Sequence, residues 1–222
     1  MAGAWELRNH HGSVLVGILH TDVVSMAWAL GLRNLQVPGH VMPVSGMPYA
    51  HARNTICMQT LQGGYDWCFM LDSDVVPPND AILRLQAHGK PFISGVYYRR
   101  SPPHGIPVML KNGSWLPPQL PPNQLIEVDL VGAGCLLIRR DVLEKCPPQR
   151  PEVGQHWFDW RVDMQGILPQ GECLSEDFTF CTHLRRMLGI PTLVDTSVVC
   201  RHIGYSQAGP GSLLPCEATP VT

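Results

Sequence analysis

Two carboxylates, Asp72 and Asp74, stand one residue apart at the end of the apolar run Trp67-Cys68-Phe69-Met70-Leu71. Such a run reads as a buried strand, and open α/β sheets bind their ligands outside the carboxyl ends of strands. A pair of hard carboxylates there suits Mg²⁺ or Mn²⁺, which prefer oxygen ligands and share their coordination with substrate phosphates. Alternation along an ideal strand sends the two side chains to opposite faces, so one shared ligand requires a turn. Pro77-Pro78 just downstream signals one. The same residues also fit a plain acidic turn leading into the next helix.

Two further groups have chemical potential. Ser175-Glu176-Asp177 precedes a segment whose apolar members, Phe178, Cys181, Leu184, Met187 and Leu188, follow helical spacing. Ser175 suits an N-cap, and acids in a first turn are favoured by the helix dipole; a general base facing a cleft would need the same placement. His202 follows the apolar stretch Thr192–Cys200 and precedes Ile203-Gly204. An imidazole at a strand end is either structural or the nitrogen ligand of a mixed site, which suits Mn²⁺ better than Ca²⁺.

The elements that must position these groups alternate. Ser13–Leu19 predicts a strand, the pattern after Thr21-Asp22 a helix through Leu32, Val37–Val44 a strand and Tyr49–Leu61 a helix ended by Gly63-Gly64. Trp67–Leu71 is the third strand, Ala81–Ala87 a helix and Phe92–Tyr98 a fourth strand. That order implies an α/β fold with a mostly parallel central sheet and right-handed crossovers. Seven prolines within 101–123 then interrupt it, and a short hairpin from Val108–Leu110 through Asn112-Gly113 to Trp115 is expected inside this Pro-rich insertion. Strands at Ile126–Val131 and Cys135–Ile138 flank Gly132-Ala133-Gly134, Arg140–Lys145 is a brief helix, 147–173 a loop region, Glu176–Met187 a helix and Thr192–Cys200 the last strand. Residues 1–204 are expected to form one domain and 205–222 a flexible tail.

Composition narrows the function classes. Lys and Arg total 16 against 18 Asp and Glu, a charge of -2 that gives no long-range pull toward a polyanion. Only three of the 16 cations are Lys, and arginine suits planar, bidentate contact with phosphate or carboxylate. The eight cysteines are scattered without a C-x-x-C pair and mostly lie in apolar runs, which reads as buried thiols in a reducing compartment. No apolar run approaches the roughly 20 residues of a membrane span. The expectation is a soluble, cytoplasmic protein.

Taken in order, Leu71-Asp72-Ser73-Asp74, Val128-Asp129-Leu130-Val131-Gly132-Ala133-Gly134-Cys135-Leu136-Leu137-Ile138-Arg139-Arg140, Ser175-Glu176-Asp177-Phe178 and Arg201-His202-Ile203-Gly204 resemble the GT-A fold nucleotide-sugar glycosyltransferases, most closely small family-2-like enzymes of bacteria and their phages. The resemblance spans residues 13–204. It implies a Rossmann-like GT-A domain in which Asp72, Ser73 and Asp74 hold the donor, with Asp74 on a divalent metal, Asp72 near the ribose or the metal, and His202 as a further ligand. It places Thr21 and Asp22 at the nucleotide base and Arg53 at the nucleotide or diphosphate, where a solvated helix face would be the bland explanation. Gly132 and Gly134 match small residues that let backbone approach donor sugar and acceptor, although a tight bend would also need glycine.

The chemistry implied is transfer of a sugar from a nucleotide donor, most simply a UDP-sugar, to an acceptor hydroxyl. In inverting members the Asp of the Glu-Asp pair removes the acceptor proton, which assigns Asp177 as base and Glu176 as its orienting partner. A carboxy-terminal His ligand is more familiar from retaining members, so the two signals conflict; inversion is carried forward. Trp157 and Phe158 would supply an aromatic acceptor platform unless they pack in the core. The acceptor is a glycan or a hydroxymethylated pyrimidine in DNA, for which Arg99-Arg100 could hold a few phosphates. The alternatives are a nucleotidyltransferase, which would carry a Gly-rich basic loop where this chain has His20-Thr21-Asp22, and a non-catalytic sugar-nucleotide binding module.

Overall fold

Val14–Leu19 forms β1, six buried residues whose alternate side chains serve two different cores. Val14, Val16 and Ile18 face one helical layer, while Leu15 and Leu19 face the other, the period of two that a strand imposes. Gly17 completes the second set: a Cβ there would lie 2.2 Å from the Ile56 side chain. These coordinates are a computed structural model describing residues 12–100, 104–150, 154, 156–162 and 173–204. The expected tail at 205–222 lies outside the described residues, as do 101–103 and 163–172.

After β1 the chain runs through α1 (Met26–Asn34), β2 (Gly39–Val44), α2 (Tyr49–Gln62), β3 (Trp67–Asp72), the short β4 (Val75–Val76), α3 (Ala81–Ala87) and β5 (Phe92–Val96). The predicted alternation is present here, with boundaries displaced by up to three residues. Next come the hairpin β6 (Met109–Lys111) and β7 (Ser114–Trp115), whose turn residues Asn112 and Gly113 have φ of 52° and 72°. Two successive positive φ values give the primed turn that matches strand twist, as Asn-Gly predicts. β8 (Leu125–Val128), β9 (Leu130–Val131), β10 (Cys135–Arg139), α4 (Arg140–Lys145), β11 (Arg161–Val162), β12 (Cys173–Leu174), α5 (Glu176–Leu188), β13 (Thr192–Val199) and β14 (Arg201–His202) complete the described chain.

The central sheet has seven strands in the order β2-β1-β3-β10-β5-β13-β8. Five run one way, and β10 and β8 run against them. The reversal of β10 matters for the site. Pairing Cys135 with Leu71 sets the Gly132-Ala133-Gly134 connector against the end of β3, where the Asp72 amide donates to the Gly134 carbonyl at 3.2 Å. Helices α2, α4 and α5 cover one face and α1 and α3 the other.

The run Ile126–Val131, read from sequence as one strand, is two. β8 pairs with β13 in the main sheet, whereas β9 pairs with β6 in a three-stranded sheet under the hairpin. Asp129 sits at the switch, accepting from the Asn112 amide (2.6 Å) and from Arg185 of α5 (3.3 Å). Its carboxylate therefore ties together hairpin, sheet and helix.

α2 carries an unusual buried polar group. Asn54 accepts from the Trp157 and Phe158 amides (2.8 and 3.0 Å) and donates to the Phe158 carbonyl (2.8 Å), anchoring a segment more than 100 residues away. Asn54→Ala would leave three backbone groups without partners, at about 1–3 kcal/mol. A fall in the unfolding midpoint with little change in circular dichroism is the expected result. Six cysteines, at 57, 68, 135, 146, 181 and 200, are buried free thiols, and burial pushes those of Cys146 and Cys181 up to about 12. Among the described residues no helix is long and apolar enough to cross a membrane.

Candidate active site

The turn that the Asp72-Ser73-Asp74 pair requires is present and is held from behind. Ser25 caps α1 by accepting from the Trp28 amide (3.1 Å), and the buried Trp28 indole N–H then donates to the Asp72 and Val75 carbonyls at 3.1 and 3.0 Å. In front, the Ser73 amide donates to the Leu19 carbonyl at the end of β1 (3.1 Å). β14 pairs with β4, opposing His202 to Val75, and the Ile203 amide donates to the Asp74 carbonyl (2.6 Å). Two strand ends are thereby bound to one turn, and Asp72, Ser73, Asp74 and His202 all line a cleft of about 390 Å³.

Arg53 joins the rest. From the first half of α2 its guanidinium donates to Asp72 Oδ1 (3.1 Å), Glu176 Oε1 (3.1 Å) and the Ala133 carbonyl (3.2 Å). At 3% exposure it is not a solvated helix face, although it reaches the cleft wall. It is a buried tie between three segments of the site. Burial works against its charge, but Asp72 and Glu176 outweigh that and hold the guanidinium firmly protonated. Burial also pushes the Asp72 carboxyl up, with Arg53 opposing and Asp74 and Asp177 adding to the rise, and the Glu176 carboxyl rises through burial and Asp177, again opposed by Arg53.

Asp177 opens α5, yet its neighbour Ser175 does not cap the helix with its side chain. The Ser175 hydroxyl instead donates to Asp177 Oδ1, which also accepts from the Phe178 amide (2.9 Å). Among the described residues Oδ2 accepts from the Ala133 amide alone (3.2 Å). The carboxylate is fixed in orientation, lines the cleft, and keeps a lone pair on Oδ2 for another donor. A helix N-terminus is a favourable place for that charge.

The remaining predicted residues divide. Thr21 lines the cleft, as do Tyr97, Arg99 and Arg100. Asp22 has its side chain 86% exposed at a φ of 53°, its amide donating to the His20 ring, and lies outside the cleft wall. Gly132 and Gly134 sit behind that wall against Tyr97: a Cβ on Gly132 would be 1.9 Å from the Tyr97 hydroxyl, and one on Gly134 would be 3.0 Å from Asp72 Oδ2. Their smallness serves the close approach of Tyr97 and Asp72 to the connector. Trp157 and Phe158 are not a platform. At 1% and 0% exposure both rings are core, and the Phe158 ring packs on Phe180 at 4.4 Å. The aromatics that do line the cleft with exposed faces are Tyr49 and Trp160, which the sequence reading missed.

Among the described residues no cluster of three His, Cys, Asp or Glu is arranged around a metal position, because Asp72 is turned to Arg53. What fits a divalent cation is the pair Asp74 and His202. His202 Nδ1 lies 2.7 Å from the Tyr98 carbonyl, which can only accept, so Nδ1 carries a proton. Nε2 then faces Asp74 Oδ1 at 3.4 Å, so a ring nitrogen and a carboxylate oxygen stand side by side on the cleft wall. A ring N–H fixed on a backbone carbonyl is the usual support of a metal-bound imidazole, and Mn²⁺ and Mg²⁺ commonly complete their coordination with water and phosphate. Arg100 meets the other oxygen of Asp74 at 2.6 Å. Burial works to raise the Asp74 carboxyl, but the His202 contact and Arg100 outweigh it and leave it below its ordinary value.

No family model and no curated protein matches the chain. Solved structures do. A197 from STIV is similar over 86% of this chain and 86% of its own, at TM-score 0.62 and 21% identity. The fold is GT-A-like. GalNAc-T7, solved with UDP, GalNAc and Mn²⁺, is similar over 87% of this chain at TM-score 0.51 and 11% identity. This GT-A-like chain spans 44% of that protein's length. In both likenesses the correspondence is one of fold.

Proposed function

We propose that this chain is a metal-dependent glycosyltransferase that moves a sugar from a nucleoside diphosphate donor to an acceptor hydroxyl. The observation that carries the reading is the convergence of Asp74 with His202 and of Asp177 with its orienting donors on one cleft at the carboxyl edge of a GT-A-like sheet. The similarity to a protein solved with UDP, GalNAc and Mn²⁺ supports a nucleotide-sugar donor, with a UDP-sugar the first to try.

Asp74 and His202 would hold the cation. A divalent cation bound there would offset the charge that builds on the leaving β-phosphate. Arg100, exposed and already at Asp74, is placed to take the same phosphate oxygens, while Thr21 and Ser73 offer hydroxyls to the nucleotide. Arg53 offsets the charge of Asp72 and Glu176 and keeps the two in register. On the acceptor side, Asp177 Oδ2 accepts the proton of the attacking hydroxyl, and the Ala133 amide keeps that oxygen aimed into the cleft. Attack on the face opposite the departing diphosphate inverts the anomeric centre.

Release of nucleoside diphosphate, followed across common nucleotide sugars with Mn²⁺ and with chelator, tests the reading. Metal-dependent release is expected, and none for any donor would overturn it. Asp74→Asn retains shape but removes the charge facing His202 and Arg100; at saturating donor it should lower turnover by at least about 100-fold and raise the Mn²⁺ requirement. The anomeric configuration of the product decides between inversion and retention.

A further inference from the structure

Among the described residues two exposed aromatic side chains line this cleft, Tyr49 and, on the side of the β11–β12 ladder, Trp160. Trp160 is 49% exposed and lines the cleft, although the two aromatic residues just before it are buried. The segment that carries it is held on several sides. Asn54 clamps the backbone of Trp157 and Phe158, Gln149 donates to the Trp157 carbonyl (2.5 Å), the Trp157 indole donates to the Leu143 carbonyl (3.1 Å), and Asp159 pairs with Arg150 (2.5 Å). An exposed indole on so firmly anchored a segment is ordered before any ligand arrives, so little freedom is lost when one binds.

Pairing fixes where it stands. Arg161 opposes Leu174 and Val162 opposes Cys173 in the antiparallel β11–β12 ladder. Trp160 and Ser175 flank the open end of that ladder and both line the cleft, and the Ser175 hydroxyl donates to Asp177. The indole therefore shares a cleft wall with Ser175 and with Asp177, the carboxylate assigned to the acceptor proton.

We propose that Trp160 is the acceptor-binding face and that the acceptor is a neutral saccharide, a proposal that rests on the glycosyltransferase reading above. The apolar C–H face of a pyranose packs on an indole while its hydroxyls stay free at the ring edge, which lets one of them reach Asp177 Oδ2. Charge selects against the other acceptor considered. Glu176 and Asp177 line the cleft together with the indole, while Arg53 is already shared between Glu176 and Asp72 and Arg100 is engaged by Asp74. A nucleic-acid acceptor would have to bring phosphates against this acidic wall.

The test combines binding and kinetics on the full chain. Saturation-transfer NMR with a panel of neutral gluco-, galacto- and manno-configured disaccharides should show transfer to sugar ring protons in the wild type and in Trp160→Phe, and its loss in Trp160→Ala. For the disaccharide that is glycosylated, Trp160→Ala should raise the acceptor KM about tenfold, with Trp160→Phe within about threefold and the unfolding midpoint unmoved. An unchanged acceptor KM and unchanged saccharide contact in Trp160→Ala would overturn the proposal. So would the absence of contact with any disaccharide, or binding confined to an oligodeoxynucleotide carrying a hydroxymethylated pyrimidine. If no donor is turned over, the glycosyltransferase reading fails by itself, while the NMR result still decides whether Trp160 binds sugar.

Discussion

Asp177→Asn should lower turnover by about 10²–10⁴, the range that a positioned general base contributes, while the donor KM changes little. The amide matches the carboxylate in shape but cannot take a proton from an attacking hydroxyl. The substitution also disturbs local bonding. Oδ1 accepts from the Ser175 hydroxyl and the Phe178 amide, and Oδ2 from the Ala133 amide, so whichever position receives the new NH₂ sets donor against donor. That mismatch costs on the order of 1 kcal/mol and predicts a small fall in the unfolding midpoint. Lost chemistry and loosened structure are separable with a better nucleophile. An acceptor carrying a thiol in place of its hydroxyl ionises more readily and depends less on a base, so it should recover much of the deficit in Asp177→Asn; a purely structural defect would slow both acceptors alike. Loss of less than about tenfold with the natural hydroxyl would assign proton removal to another group, such as the departing phosphate of a retaining reaction.

What was legible in the sequence follows from how local each cause is. The acids at 72 and 74 stand out because an apolar strand stops at them, and the turn they need was foreshadowed by nearby prolines. The hairpin at 109–115 was readable from Asn112-Gly113 alone. The reversal of β10 was not, because its direction is set by pairing with β3 and β5, from segments 40 to 70 residues earlier. Trp157 and Phe158 misled for the same reason. Nothing adjacent to them says they are buried; Asn54, a polar residue in an otherwise ordinary helix pattern, is what draws their backbone inward. Once those two are fixed inside, Trp160 is left at the surface. The glycines of Gly132-Ala133-Gly134 signalled a close approach correctly, but the approaching groups are Tyr97 and Asp72. Arg53 was noticed, yet its partners lie 19 and 123 residues away, so sequence could not tell a clamp on phosphate from a tie between carboxylates.

That tie predicts the largest loss of stability. Arg53→Met keeps much of the side-chain volume but removes a cation shared by Asp72 and Glu176, whose side chains are 26% and 6% exposed. Breaking a buried pair by deleting one partner costs about 3–5 kcal/mol, here mainly through Glu176, whose charge at 6% exposure is left nearly without water or counter-ion. Asp72 and Glu176 already sit above their ordinary carboxyl values, raised by burial and lowered by Arg53. Without Arg53 both rise further, so over the range above the ordinary carboxyl value the folded variant binds more protons than the unfolded chain. Where the folded state holds the extra protons, stability falls as pH rises. The deficit of Arg53→Met against wild type should therefore be largest near pH 7 and shrink toward pH 4–5, as protonation of the two carboxyls removes the uncompensated charge. Urea denaturation of both proteins at several pH values reads this directly. A deficit that is constant with pH would mean that Arg53 stabilises the fold through packing and its bond to the Ala133 carbonyl. The double variant Arg53→Met/Glu176→Gln provides the complementary check: with one stranded charge gone it should be more stable at neutral pH than Arg53→Met alone, an increase that no account based on packing predicts.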